Sequence, residues 1–143
     1  MREWPPLWVA LGLLIAWFFA DAWGAFATSI GLTLIAAGAG LMLTAVVTML
    51  RARTTPVPHR EADVLVTRGP FRLSRNPIYL GDALILAGAS LVWGSLLGLL
   101  FVPVFVFIIN SRFIFDEEAR LAARFGTDFE TYREETPRWI GPF

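Results

Sequence analysis

The apolar positions of this chain fall in long unbroken runs rather than in the alternations of a water-soluble fold. Leu7 to Ala20 is the first run. Trp23 to Leu50 is the second and contains no charged residue. Ile78 to Ile109 is the third, broken by one charge, Asp82. A helix needs about 20 apolar residues, each rising about 1.5 Å, to cross the hydrocarbon of a bilayer. The third run is too long for one such helix, and Trp93-Gly94-Ser95 near its middle reads as a tight turn. The pattern predicts an all-α integral membrane protein with four transmembrane helices, at about 5–22, 26–50, 77–93 and 95–115. The third and fourth form a short hairpin, for which a re-entrant pair is the alternative. The first run has a second reading as a signal peptide, with Ala20-Asp21-Ala22 as a small-x-small cleavage site. Against it, the amino-terminal flank holds only Arg2, offset by Glu3.

The polar positions gather between and after these runs. Arg51 to Arg75 holds six Arg against Glu61 and Asp63. The Asp21 and Trp93 turns hold no basic residue. The positive-inside rule places the Arg-rich loop 51–76 and the carboxyl-terminal tail in the cytoplasm, and with four spans both termini lie there, in the cell (inner) membrane. Trp4, Trp8, Trp17 and Trp23 suit the interfaces. Small residues from Ala36 in "AAGAGLMLTA" predict close helix packing. Pro103 predicts a kink or local unwinding of the fourth helix.

Composition agrees. The chain has 143 residues, one domain's worth, and is 56% hydrophobic, above the roughly 45–50% of soluble domains. Formal net charge is zero, which argues against nucleic acid. There is no Cys, and His59 is the sole His, so a structural metal is not expected.

Two polar clusters carry candidate chemistry. In "GPFRLSRNPIYLG", Gly69-Pro70 is a turn, Asn76 is a good N-cap and Pro77 is the favoured first helical residue. A helix start with Arg75 beside it is also an anion site, since free N–H groups and a guanidinium fork suit a carboxylate or phosphate. Contact of Arg72 and Arg75 with lipid phosphate is the alternative. In "FDEEARLAARFGTDFETY", Asp116, Glu117 and Glu118 fall where the fourth helix leaves the membrane. Carboxylates at a helix carboxyl-terminus are unfavourable, so they call for partners: Arg72, Arg75, Arg112 or a cationic ligand. Leu121, Phe125, Phe129 and Tyr132 form an apolar stripe. Gly126 reads as a helix stop, and Thr127 with Glu130 as a capping box. The tail 116–136 is thus expected as two short amphipathic cytoplasmic helices. Asp82, an ionisable group inside a transmembrane segment, is a functional candidate by its location, with pairing to Arg112 or orientation of a substrate as its two readings.

The segments "LVTRGPFRLSRNPIYLG" and, some 35 residues on, "DEEARLAARFGTDFETYREETPRW" resemble the isoprenylcysteine carboxyl methyltransferase and phospholipid methyltransferase superfamily of integral membrane enzymes. The likeness covers about Thr54 to Trp139. It implies S-adenosylmethionine as methyl donor, bound on the cytoplasmic side, and a lipophilic acceptor entering from the bilayer. It implies donor contacts from Asp63, Val64, Leu65 and Val66, from Phe71, from Arg75, Asn76, Pro77, Ile78 and Tyr79, and from Glu117 and Glu118. It places Arg112 near the acceptor, with the register offset by about one residue. Asn76 stands where the superfamily commonly has His, so a histidine base at that position is excluded and no catalytic residue is assigned. A sulfonium donor carries its own leaving group, so positioning and exclusion of water are the protein's main tasks and no metal is required. An NADPH-dependent membrane sterol-type reductase and a non-catalytic scaffold are the competing readings.

Overall fold

The computed structural model describes residues 4–54 and 64–141. Among these there is no strand. Helix α1 spans Pro5–Phe18, α2 Gly24–Arg51, α3 Pro77–Val92 and α4 Leu96–Ile109. A 3-10 turn, Gly69–Arg72, precedes α3. A π turn, Asn110–Ile114, carries α4 directly into α5, Phe115–Phe125, and α6 is Thr127–Glu135.

Several expectations change. The first helix ends at Phe18, short of the expected 22. Helix α5 is not a separate tail helix. It extends α4, so that Leu96–Phe125 is one continuous 30-residue rod. Asp116, Glu117 and Glu118 therefore lie inside a helix, and the argument from an unfavourable helix end does not apply to them. The helix also runs through Pro103, and its irregular turn comes seven residues later at Asn110–Ile114. Gly126 does stop α5, with φ +53. It also takes the N-cap place of α6, and no side-chain cap bond forms there. The expected Thr127/Glu130 capping box is absent because Thr127 already lies inside the first turn.

The hydroxyls in α2 leave no unmet donor in an apolar setting. Thr28, Ser29, Thr33, Thr44 and Thr48 each donate to a carbonyl one turn back, at 2.7–3.1 Å. The turn between α3 and α4 is built by Gly94, at φ +62, and by Ser95, whose side chain caps α4 by accepting from the Gly98 N–H at 3.1 Å. The Asp21 N–H donates to the Trp93 carbonyl at 2.7 Å, so the α1–α2 and α3–α4 turns share one end of the molecule.

Helix α3 is central, packed against α1, α2 and α4. Its tightest contact, with antiparallel α2, uses two glycine pairs. A methyl on Gly31 would lie 2.5 Å from the Gly88 carbonyl oxygen, and one on Gly38 would lie 2.6 Å from that of Gly81. The pairs are seven residues apart on both helices, which keeps them on one seam. Of the small residues expected to pack, Gly38 lies on this seam. Gly40 faces open space. The opposite faces are apolar and uncovered: Phe26, Leu32 and Leu43 on α2, and Leu100 and Phe107 on α4, are exposed. Two helices, α2 and the α4–α5 rod, are long and apolar enough to cross a membrane. Only 17% of the most apolar window of α2 is buried within the protein, so that helix is not the core of a water-soluble fold.

Candidate functional site

At the end of the bundle away from the two turns, the segment before α3 meets the α4–α5 rod and the tail after α6. Tail docking begins with backbone. The Arg75 N–H donates to the Pro137 carbonyl at 2.9 Å. The Arg138 carbonyl accepts from Ser74 Oγ at 2.9 Å and from Asn76 Nδ2 at 3.1 Å. Trp139 Nε1 donates to Asn110 Oδ1, in the π turn, at 3.1 Å. The side chain of Asn76 thus does not cap α3, although the residue occupies the N-cap place. Ser74 Oγ instead accepts from the Asn76 N–H at 3.1 Å. The first turn of α3, beginning with Pro77, has no side-chain cap at all, which leaves its outward N–H groups to another acceptor.

The tail brings a second arginine to the acidic pair. Glu118 accepts from Arg138 Nε at 3.0 Å and from Arg138 Nη2 at 2.7 Å. The same carboxylate pairs with Arg75 Nη2 at 3.3 Å. Side-chain exposure is 9% at Arg75 and 13% at Glu118, so the pair is screened little by water. Nε and Nη1 of Arg75 are buried without a hydrogen-bond partner. Burial pushes the Arg75 guanidinium below its ordinary range; Glu118 opposes that shift and Arg138 adds to it. Arg138 moves the other way, raised by its hydrogen bonds to Glu118. Arginine does not deprotonate in proteins, so Arg75 is an undercompensated buried cation. A buried charge of this kind is stable only beside an anion.

Glu117 is near, accepting from the Tyr79 hydroxyl at 3.4 Å. Phe71, Leu65, Val66 and Ile78 belong to one apolar cluster with Ala45, Phe129 and Tyr132. The Tyr132 hydroxyl donates to the Phe71 carbonyl at 2.7 Å, and burial raises its pKa. The Phe71 side chain is buried within this cluster. Val64, Leu65 and Val66 also line a cleft of about 230 Å³ with Thr48 and Arg51 of α2, Ala52 just after it, and Arg68 and Gly69.

The structure thus joins Arg75 to Glu118, Tyr79 to Glu117, and Leu65, Val66, Phe71 and Ile78 to one another. Asp63 lies outside the described residues. Arg112, in the π turn, is exposed. Asp82 is buried on α3 and makes no ion pair with a described residue, so the expected Asp82–Arg112 pair does not form. Among the described residues no group of acidic or His side chains is arranged to hold a metal. Sequence reasoning missed Arg138, Ser74 and Asn110. Arg138 lies within the "ETPRW" end of the quoted motif, and its place there was the available signal.

The profile of the phospholipid methyltransferase family matches residues 26–128. A protein-S-isoprenylcysteine O-methyltransferase of Schizosaccharomyces pombe is 31% identical over 77 residues, 54% of this chain and 33% of that protein. This chain therefore spans about a third of that relative's length. An uncharacterised protein of Haemophilus influenzae is 35% identical over 63 residues, 44% of this chain and all of that protein. No solved structure matches. With the family profile covering most of the chain, including α2, α3, α4 and α5, this protein belongs to the phospholipid methyltransferase family.

Proposed function

We propose that this chain transfers a methyl group from S-adenosylmethionine to a lipophilic acceptor at the cytoplasmic face of a membrane. One observation carries the reading: a buried guanidinium at an uncapped helix start, with Nε and Nη1 unpartnered. That donor set fits the carboxylate of an amino-acid moiety. Arg75 and the start of α3 would hold the carboxylate. Glu117, beside Tyr79, would hold the amino group or the ribose. The methyl donor, when bound, supplies a sulfonium whose methyl is already activated for displacement. The protein's part is to orient the partners and exclude water. Asn76, engaged with the tail, is a positioning residue in this scheme. The acceptor candidates are a prenylated-cysteine carboxylate, a phospholipid amine or another small lipophile, reached from the bilayer between exposed apolar helix faces. Four spans, α1, α2, α3 and α4, would put the Arg-rich segment and both termini in the cytoplasm.

The test is binding followed by turnover. At about 100 times its dissociation constant, S-adenosylhomocysteine should stabilise the protein by about 2.7 kcal/mol. Radiolabelled methyl transfer into lipid and small-molecule extracts, with mass identification of the product, should then give the acceptor. Stabilisation by NADPH and none by S-adenosylhomocysteine would overturn the reading in favour of a reductase. The family match lends no support to that alternative.

A further inference from the structure

The cluster of Arg75, Glu118 and Arg138 holds two cations and one carboxylate, and shares that carboxylate unequally. Arg138 grips it as a two-point fork at 3.0 and 2.7 Å. Arg75 reaches it through Nη2 only, at 3.3 Å. Two-point guanidinium–carboxylate pairs are the stronger and the more fixed in direction. Arg138 is itself held at both ends. Its carbonyl is tied to Ser74 and Asn76, and its guanidinium lies over the Phe115 ring at 4.8 Å. Without Arg138, the whole Glu118 carboxylate would be available to Arg75, and the pair would be neutral and closed to a further anion.

We infer that Arg138 is a positioning residue: by occupying Glu118 it leaves the buried Nε and Nη1 groups of Arg75 without a protein partner, for the carboxylate of a bound ligand to meet. The inference rests on the proposed reading of Arg75 as the carboxylate-binding group. It adds a residue that touches no ligand and acts through Glu118. The tail after α6 thereby becomes part of the site, since the cluster's net positive charge depends on it.

Two probes isolate the effect: S-adenosylhomocysteine and its decarboxylated analogue. Calorimetry on the full chain in detergent should show wild type preferring the carboxylate-bearing probe about tenfold or more. Arg138→Gln should abolish that preference while keeping affinity for the analogue. Adding Glu118→Gln to Arg138→Gln should restore the preference, because the competing carboxylate is gone. Glu118→Gln alone should retain it. A role in folding alone would weaken both probes together, and the second substitution would not rescue it. The inference is overturned if Arg138→Gln keeps the preference, or loses both probes without rescue, or if Glu118→Gln alone abolishes the preference. If wild type shows no preference, or Arg75→Gln retains it, the reading of Arg75 falls and takes this one with it. If Arg75→Gln abolishes the preference and Arg138→Gln does not, only the role of Arg138 falls.

Discussion

Two carboxylates one residue apart do different work here. Glu118 is held internally by two arginines, whereas Glu117 accepts from the Tyr79 hydroxyl and is, under the proposed function, the member of the pair that would meet the ligand. A charge-assisted hydrogen bond contributes roughly 1.5–3 kcal/mol. Glu117→Gln should therefore weaken S-adenosylhomocysteine binding by about 10- to 150-fold in calorimetry. Asp82→Asn should leave that affinity unchanged, because Asp82 lies further along α3 and outside the cluster. The reverse pattern would move the site deeper into the bundle. Asn76 also changes meaning. As an N-cap it would tolerate Asp. As a donor to the Arg138 carbonyl it does not, since a carboxylate would face a carbonyl oxygen. Asn76→Asp should lower both the thermal midpoint and S-adenosylhomocysteine affinity; a variant matching wild type in both would restore the capping role. Tyr132→Phe removes the buried partner of the Phe71 carbonyl and should destabilise by about 1–3 kcal/mol, read by thermal unfolding.

Helix packing sets the next level. The α2–α3 seam depends on glycine at 31, 38, 81 and 88, where backbone meets backbone. A side chain at Gly38 would meet the Gly81 carbonyl and Ile85, so Gly38→Val should cost about 1–3 kcal/mol through overpacking. Gly40, two residues away, has nothing within 4 Å. Gly40→Ala should be neutral or stabilising by up to about 1 kcal/mol from helix propensity. Unfolding both variants in one detergent separates seam from surface; equal losses would mean that small size as such, and not this seam, is what α2 requires. The start of α3 was legible in the sequence because Pro77 punctuates it, while the expected second helix, 26–50, falls inside the observed α2. The continuity of α4 into α5 was not. The apolar pattern stops near Phe115, but a helix does not have to stop where its surroundings change from lipid to water.

At the scale of the molecule, the bond from Asp21 to Trp93 puts two turns without a basic residue at one end, opposite the arginine cluster. Reporter fusions after Arg53 and after Phe143 should both report cytoplasm, and one at Gly94 the other side. A cytoplasmic Gly94 would replace the four-span arrangement with a re-entrant hairpin. The membrane character follows from composition and from the uncovered Phe26, Leu43 and Phe107 faces alike.

The helical class, the apolar runs and the motif around Arg75 were determined by the sequence alone, because hydrophobic run length and helix punctuation are local properties of the chain. Which of Gly38 and Gly40 packs, which carboxylate is internal, and what Asn76 holds were decided only by tertiary structure. Each depends on a partner distant in sequence: Gly81, Arg138 and the Arg138 carbonyl. Arg138 shows the division most clearly. It is one of twelve arginines with no local mark of its own, and it gains a role only when the tail returns across 62 residues to meet Asn76.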